Sequence, residues 1–224
     1  MVTNKIKICY AKIEINPFRK IHPSNLRGFL GYLFITDPEF HHHSDSSYHY
    51  PLVQYKIIND KLCVLGLNKY ADSVFYNISG LEYLTLVNEK VDVTNVEMDI
   101  KNFEIKEQYT RYKFTSPWIA LNKKNYDLYG IMDKKKKDEF LEKVIIGNIL
   151  SALKGLNLFV DFKLNAEIKA IKSIPVSAND NVFQGFFAIV NTNISLPDHI
   201  GLGKSVSKGF GTLERLQNND SRNI

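Results

Sequence analysis

The sequence predicts an α+β fold built in two halves, and three observations carry that prediction. The chain has 224 residues, 44% of them hydrophobic and 24% charged, enough for two domains of about 100 residues, each with its own core. Apolar and polar residues alternate with a period of two along much of the chain, interrupted by stretches with the three- and four-residue spacing of helices. Charge divides unevenly: residues 1–112 hold 13 basic and 13 acidic side chains, residues 113–224 hold 16 and 11, and the whole net charge of +5 lies in the second half. A polyanionic partner would therefore dock most economically there. Disordered and collagen-like chains are excluded by composition. A polytopic membrane protein is excluded too, since no apolar run approaches the ~18 residues a spanning helix needs.

The elements follow in order. Lys5 to Ile15 alternates as a strand, with Ile6, Ile8 and Tyr10 on one face and Lys5 and Lys7 opposite. Ser24 is placed as the N-cap of a helix whose face is Leu26, Phe29, Leu30, Leu33 and Phe34. Gly28 and Gly31 sit inside that helix at about 1 kcal/mol each, which points to close backbone approach by a strand or a ligand. Pro38 ends the helical region, and the polar loop Glu39 to His49 carries four of the six histidines. Tyr50 to Asn68 reads as a hairpin turning at Asn59-Asp60, in which Val53, Tyr55 and Ile57 alternate with the polar Gln54 and Lys56. A short helix over Ala71 to Ile78 and alternating stretches at Leu81 to Val87 and Val91 to Ile105 complete the half. Strand, helix, two strands, helix, strand is the ferredoxin-like pattern shared with RNA-recognition folds.

Tyr109 to Asn125 reads as a transition with a break at Ser116-Pro117. The lysine run Lys134 to Lys137 leads into a helix with Phe140, Val144, Ile145 and Ile149 on its face, ending near Lys154-Gly155. Four lysines at a helix start oppose the macrodipole and are read as a solvated helix end. Leu164 to Ala170 alternates as a strand with one wet face, whereas Val182 to Val190 is apolar on both faces and belongs inside a sheet. A glycine-rich segment then precedes a last short strand. The division is placed at 1–112 and 113–224, the second half repeating the architecture of the first without repeating its residues. Cys9 and Cys63 sit in apolar strand-like runs and read as buried thiols. The N-terminus lacks the apolar block of a secretory signal, so the expected location is the cytoplasm.

Two clusters could carry chemistry. The segment Gly201-Leu-Gly-Lys-Ser205-Val-Ser-Lys-Gly209-Phe-Gly211 packs four glycines, two lysines and two serines into eleven residues. Such glycines let successive amides point into one concavity, and lysines add charge, which makes a phosphate cradle. A plain glycine-rich turn between strands is the competing reading. A nucleotide-binding P-loop is disfavoured by spacing, because its first glycine would fall on Asp198. The second cluster is His41-His42-His43 with Tyr48, His49 and Tyr50 nearby. Consecutive histidines point different ways and lack a convergent Asp/Glu/Cys set, so a metal site is disfavoured. An exposed polar loop and a general acid–base pair both stand. Histidine titrates near ~6.5, so one neutral and one protonated imidazole coexist at neutral pH, as RNA transesterification requires. His22 and His199 are lone histidines beside turns and read as structural.

The chain resembles the CRISPR-associated repeat-processing endoribonucleases, the Cas-six family, in its subtype-b branch. The resemblance rests on Leu26-Arg27-Gly28, the histidine loop, Tyr50-Pro-Leu-Val-Gln-Tyr-Lys56, Ser116-Pro-Trp-Ile-Ala-Leu-Asn122, Gly147-Asn-Ile-Leu-Ser151 and Leu196 through Gly211. It implies an α+β fold of two tandem ferredoxin-like (RRM-like) domains with a C-terminal glycine-rich loop. It further implies metal-independent cutting of precursor CRISPR RNA within its repeats, leaving a 2′,3′-cyclic phosphate and a 5′-hydroxyl, with no cofactor. Carried over by position, the catalytic residues are His41 and His43, with His42 an open alternative and Tyr50 a supporting group. Arg27, Gly201, Gly203, Lys204, Ser205, Lys208 and Gly209 are the expected RNA-binding residues. No lysine lies between Leu26 and Tyr50, so stabilisation of the phosphorane falls to Arg27, Lys204 or Lys208. The expected partners are CRISPR repeat RNA and an interference complex, with a homodimer also compatible and no membrane. A catalytically silent RNA-binding scaffold of the same fold is the alternative.

Overall fold

The computed structural model describes residues 4–16, 21–34, 49–86, 89–178 and 181–217. The first half forms β1 (Lys5–Asn16), α1 (Pro23–Leu33), β2 (Val53–Ile58), β3 (Lys61–Leu67), α2 (Lys69–Ser79), β4 (Tyr83–Leu86) and β5 (Glu89–Glu104). Its antiparallel sheet runs β2-β3-β1-β5-β4. Counting β5 as the fourth strand, this is the ferredoxin-like order second–third–first–fourth, with β4 added at the edge. The Asn59-Asp60 turn is tight, both residues at positive φ (50° and 62°), the geometry that matches the twist of a two-residue hairpin.

β1 is central and buried on both faces. Cys9, Ala11 and Ile13 pack with Leu26 and Leu30 of α1 and Ala71, Val74 and Ile78 of α2. Ile6, Ile8 and Tyr10 enter a second core that belongs mostly to the other half of the chain. α1 starts two residues earlier than expected: its N-cap is His22, not Ser24. Pro23 presets the first helical φ, and the Ser24 amide donates to His22 Nδ1 at 3.2 Å. The close backbone approach expected at Gly28 is absent, since a Cβ there would meet nothing within 4 Å. Both cysteines are free and buried.

The second half forms β6 (Glu107–Phe114), α3 (Lys123–Gly130), α4 (Lys134–Gly155), β7 (Ala166–Ala178), β8 (Asn181–Ile194), a 3-10 turn (Val206–Lys208) and β9 (Leu213–Arg215). Its antiparallel sheet runs β7-β8-β6-β9, again second–third–first–fourth, with β8 interior as its apolar pattern predicts. β6 and α3 occupy the stretch the sequence left as a transition. The chain changes sheet at residues 105–106, ahead of the division after Tyr112, because β6 pairs with β8 and β9. α4 is capped by Asp133, which accepts from the Lys136 amide at 3.0 Å. It buries Leu141, Ile145, Ile149, Ala152 and Leu153; of the expected face Ile145 and Ile149 are buried, and Phe140 and Val144 are half-buried at its edge. Among the described residues no helix is long and apolar enough to cross a membrane.

The two sheets share one core. Cys63, Leu65 and Leu67 of β3 join Tyr112, Phe114, Trp118, Ile149 and Leu153 in a single cluster, so the first half's sheet is covered by the second half.

Candidate functional site

The connection between β8 and β9 spans 195–212, where the first half places α2. Its neck closes by a bridge between Gly201 and Thr212, reinforced by the Leu202 amide donating to Gly211 O at 2.9 Å. Gly203 and Gly211 sit at φ +94° and +64°, the left-handed region where glycine carries no steric cost. At Gly203 a Cβ would also lie 2.7 Å from the Trp118 ring, so the loop backbone rests directly on the indole.

The loop is wedged between the halves, which corrects the picture of an open amide cradle. The amides of Lys204 and Gly211 donate to Ile119 O (3.0 Å) and Pro117 O (2.9 Å), and those of Lys208 and Gly209 close the 3-10 turn on Ser205 O and Val206 O. The Gly201 amide donates to Gln54 Oε1 at 3.0 Å. Gly201 and Gly209 are buried, and at Gly209 a Cβ would stand 2.5 Å from Pro23 Cγ. These glycines let protein approach protein. What the loop presents outward is its half-buried side chains, Lys204, Ser205, Ser207 and Lys208.

From the first half, three buried side chains meet the neck. The Tyr50 hydroxyl donates to Gly201 O at 2.8 Å and accepts from Gln54 Nε2 at 3.0 Å. Gln54 also donates to Pro51 O at 2.9 Å, so both of its amide protons are used. Lys56 Nζ donates to Thr212 Oγ1 at 3.2 Å. Gln54 and Lys56 are fully buried, although they are the polar half of the alternation along this strand. Sequence reasoning missed both, and also Thr212 and Trp118. Burial pushes the Lys56 ammonium down to about 7, with Cys63 the one group among the described residues that acts the other way.

Beside the neck lies a cavity of about 350 Å³ lined by Tyr50, Asn122, Asn125, Asn148, Ser151 and Lys204. Asn148 is oriented by the Trp118 indole, which donates to its Oδ1 at 2.9 Å. Lys204 Nζ also lies 5.8 Å from the centre of the Phe183 ring. On the other side of the loop, His22 faces Phe210 at 5.8 Å between ring centres. Burial first, and the Lys208 charge second, hold the His22 imidazole below its ordinary value. Arg27 on α1 is half-buried, and its buried Nε has no hydrogen-bond partner among the described residues. His199 opens the approach to the loop at φ +64° with its ring edge-on to Tyr10. Burial lowers its pKa.

His41, His42 and His43 lie outside the described residues. The segment that holds them leaves α1 at Phe34 and re-enters at His49-Tyr50, so its return is tied through Tyr50 to the neck of the glycine-rich loop. Among the described residues no group of three or more His, Cys, Asp or Glu side chains could hold a metal ion.

Two ferredoxin-like halves that share a core and hold a glycine-rich loop between them define a tandem ferredoxin-like protein. Residues 4–104 match the family model of the Cas6b N-terminal domain, and residues 104–216 match that of the Cas6b C-terminal domain. The chain belongs to the Cas6b family. It is 39% identical over 142 residues to an uncharacterized protein of Methanocaldococcus jannaschii, covering 62% of this chain and 97% of that one. A crystal structure of Cas6b superposes with a TM-score of 0.86 at 29% identity, covering 95% of this chain and all of the other. A second, described as the CRISPR RNA processing endoribonuclease Cas6b, gives 0.75 at 27% identity over 95% of this chain and all of its own.

Proposed function

We propose that this protein cuts precursor CRISPR RNA within its repeats by metal-independent transesterification, with His41 and His43 as acid and base. Family membership and the similarity to a CRISPR RNA processing endoribonuclease support the substrate class. The observation that carries the site is the Tyr50 hydrogen bond to Gly201. It joins the return of the histidine segment to the loop bearing Lys204 and Lys208. One imidazole takes the 2′-hydroxyl proton, and the 2′ oxygen bonds to the adjacent phosphorus. The bond to the 5′ oxygen breaks, and the second imidazole supplies that oxygen with its proton. Lys204, Lys208 or Arg27 offsets the charge on the phosphorane oxygens. Tyr50 supports the chemistry by position, since its one proton is committed to Gly201. The product, a guide RNA with a 2′,3′-cyclic phosphate, stays bound for delivery to an interference complex.

A repeat RNA with a single 2′-deoxy substitution at the cut site tests this. The protein is expected to bind the substituted RNA and leave it whole while cutting the all-ribose version. Cutting of both, or of neither, contradicts the proposal.

A further inference from the structure

We infer that Gln54 and Lys56 are positioning residues for this reaction: from one face of β2 they grip the two ends of the loop 201–212 and fix its lysines relative to β2 and Tyr50. The inference rests on the proposed activity for its functional meaning and on geometry for its substance.

Residues two apart on a strand point the same way, and this pair meets the two partners of one bridge. Gln54 takes Gly201, and Lys56 takes Thr212. Gln54, Tyr50 and Gly201 form a closed ring: Gly201 N–H to Gln54 Oε1, Gln54 Nε2 to Tyr50 Oη, and Tyr50 O–H to Gly201 O. At the other end Thr212 Oγ1 donates to Gly209 O at 3.2 Å. Ser116 Oγ donates to the same carbonyl at 2.6 Å and accepts from the Thr212 amide at 2.9 Å. Gln54 thus acts on the strand of loop leading to Lys204, and Lys56 on the strand leading back from Lys208.

Stability does not account for this pair. Among the described residues Lys56 has no carboxylate partner, and a lysine buried in that way is costly where an apolar side chain of similar volume would be cheaper. Nor can either side chain touch RNA, because both are fully buried. What they supply is direction: a polar network that is satisfied in one register of the loop and broken in others.

Lys56→Met keeps the volume and removes the donor. Thr212→Val removes the acceptor from the loop's side, and Thr212→Ser retains it. Trp118 is the sole tryptophan of the chain and lies under Gly203, so its emission reports the loop without any RNA. The full-length variants are compared by thermal midpoint, Trp118 emission and acrylamide quenching, and single-turnover cleavage of repeat RNA at saturating protein. Lys56→Met and Thr212→Val are expected to stay folded, to shift Trp118 emission to the red with stronger quenching, and to cut about 10- to 100-fold more slowly. Thr212→Ser is expected to match the wild type, and combining the first two to cost little more than either alone. Folded Lys56→Met and Thr212→Val proteins with wild-type emission and cleavage within twofold of wild type would overturn the inference. Wild-type protein that leaves repeat RNA uncut refutes the activity instead, while the emission of the variants still decides whether the grip exists.

Discussion

The two halves of the molecule run the same order of ferredoxin strands, and the difference that bears on the site lies at one connection. Between its third strand and its last ferredoxin strand the first half places α2, which buries Ala71, Val74 and Ile78 against its own sheet. The second half places the loop 195–212, whose neck is held by Tyr50, Gln54 and Lys56 of the other half. The helix is anchored by apolar area, which is non-directional. The loop also buries Leu196, Ile200, Leu202 and Val206 in the shared core, but its neck is held in addition by hydrogen bonds, which specify an orientation. A connection that only closes a fold can be a helix, whereas a loop that presents lysines to RNA, as proposed above, gains from a directional anchor.

His41→Ala and His43→Ala are each expected to slow cleavage about 10²- to 10⁴-fold while RNA affinity stays near wild type. Parallel loss of binding would place the histidines in RNA recognition instead. Next in size, Ile78→Ala strikes the apolar anchor and is expected to lower folding stability by about 2–5 kcal/mol, leaving the rate per folded molecule unchanged. Chemical denaturation alongside cleavage below the midpoint separates the two quantities.

Lys56→Met sharpens the contrast through pH. The ammonium's pKa falls from 10.5 in the unfolded chain to about 7 in the fold, so the unfolded chain binds the extra proton between those values. Stability of the wild type therefore rises as pH climbs from about 7 toward 10.5, and below 7 the penalty is present in full. The variant lacks this penalty and is expected to be about 1–4 kcal/mol more stable near pH 7, a gain that narrows at pH 9.5. Denaturation midpoints at both pH values check it, and a gain that widens with pH contradicts it. The smallest effect concerns charge: the double substitution Lys204→Ala, Lys208→Ala is expected to flatten the slope of log affinity against log salt by about 1.4 for single-stranded repeat RNA. An unchanged slope means these lysines do not displace counterions.

What the sequence showed locally, the structure keeps. The alternation of β1, the Asn59-Asp60 turn, α2, the long helix α4 and the interior position of β8 follow from residue spacing and turn chemistry. β6 escaped because Tyr109 and Arg111 face solvent between inward Thr110, Tyr112 and Phe114, a pattern blurred by its charge. α3 escaped because it buries none of its residues. Gln54 and Lys56 could not be read from their neighbours at all: a polar residue on an alternating strand predicts a wet face, and here the far half of the chain covers it. The glycine-rich segment was visible, but its amides turn inward to Ile119, Pro117 and Gln54, partners that local sequence does not announce.

Two histidines, without a metal, are proposed to cut RNA by its own 2′-hydroxyl. Incubating repeat RNA with the full-length protein in excess EDTA and determining the chemistry of the new 3′ end tests this most directly. A 2′,3′-cyclic phosphate opposite a 5′-hydroxyl is the expected product. RNA left intact until a divalent metal is restored, or a free 3′-hydroxyl at the cut, would contradict the claim.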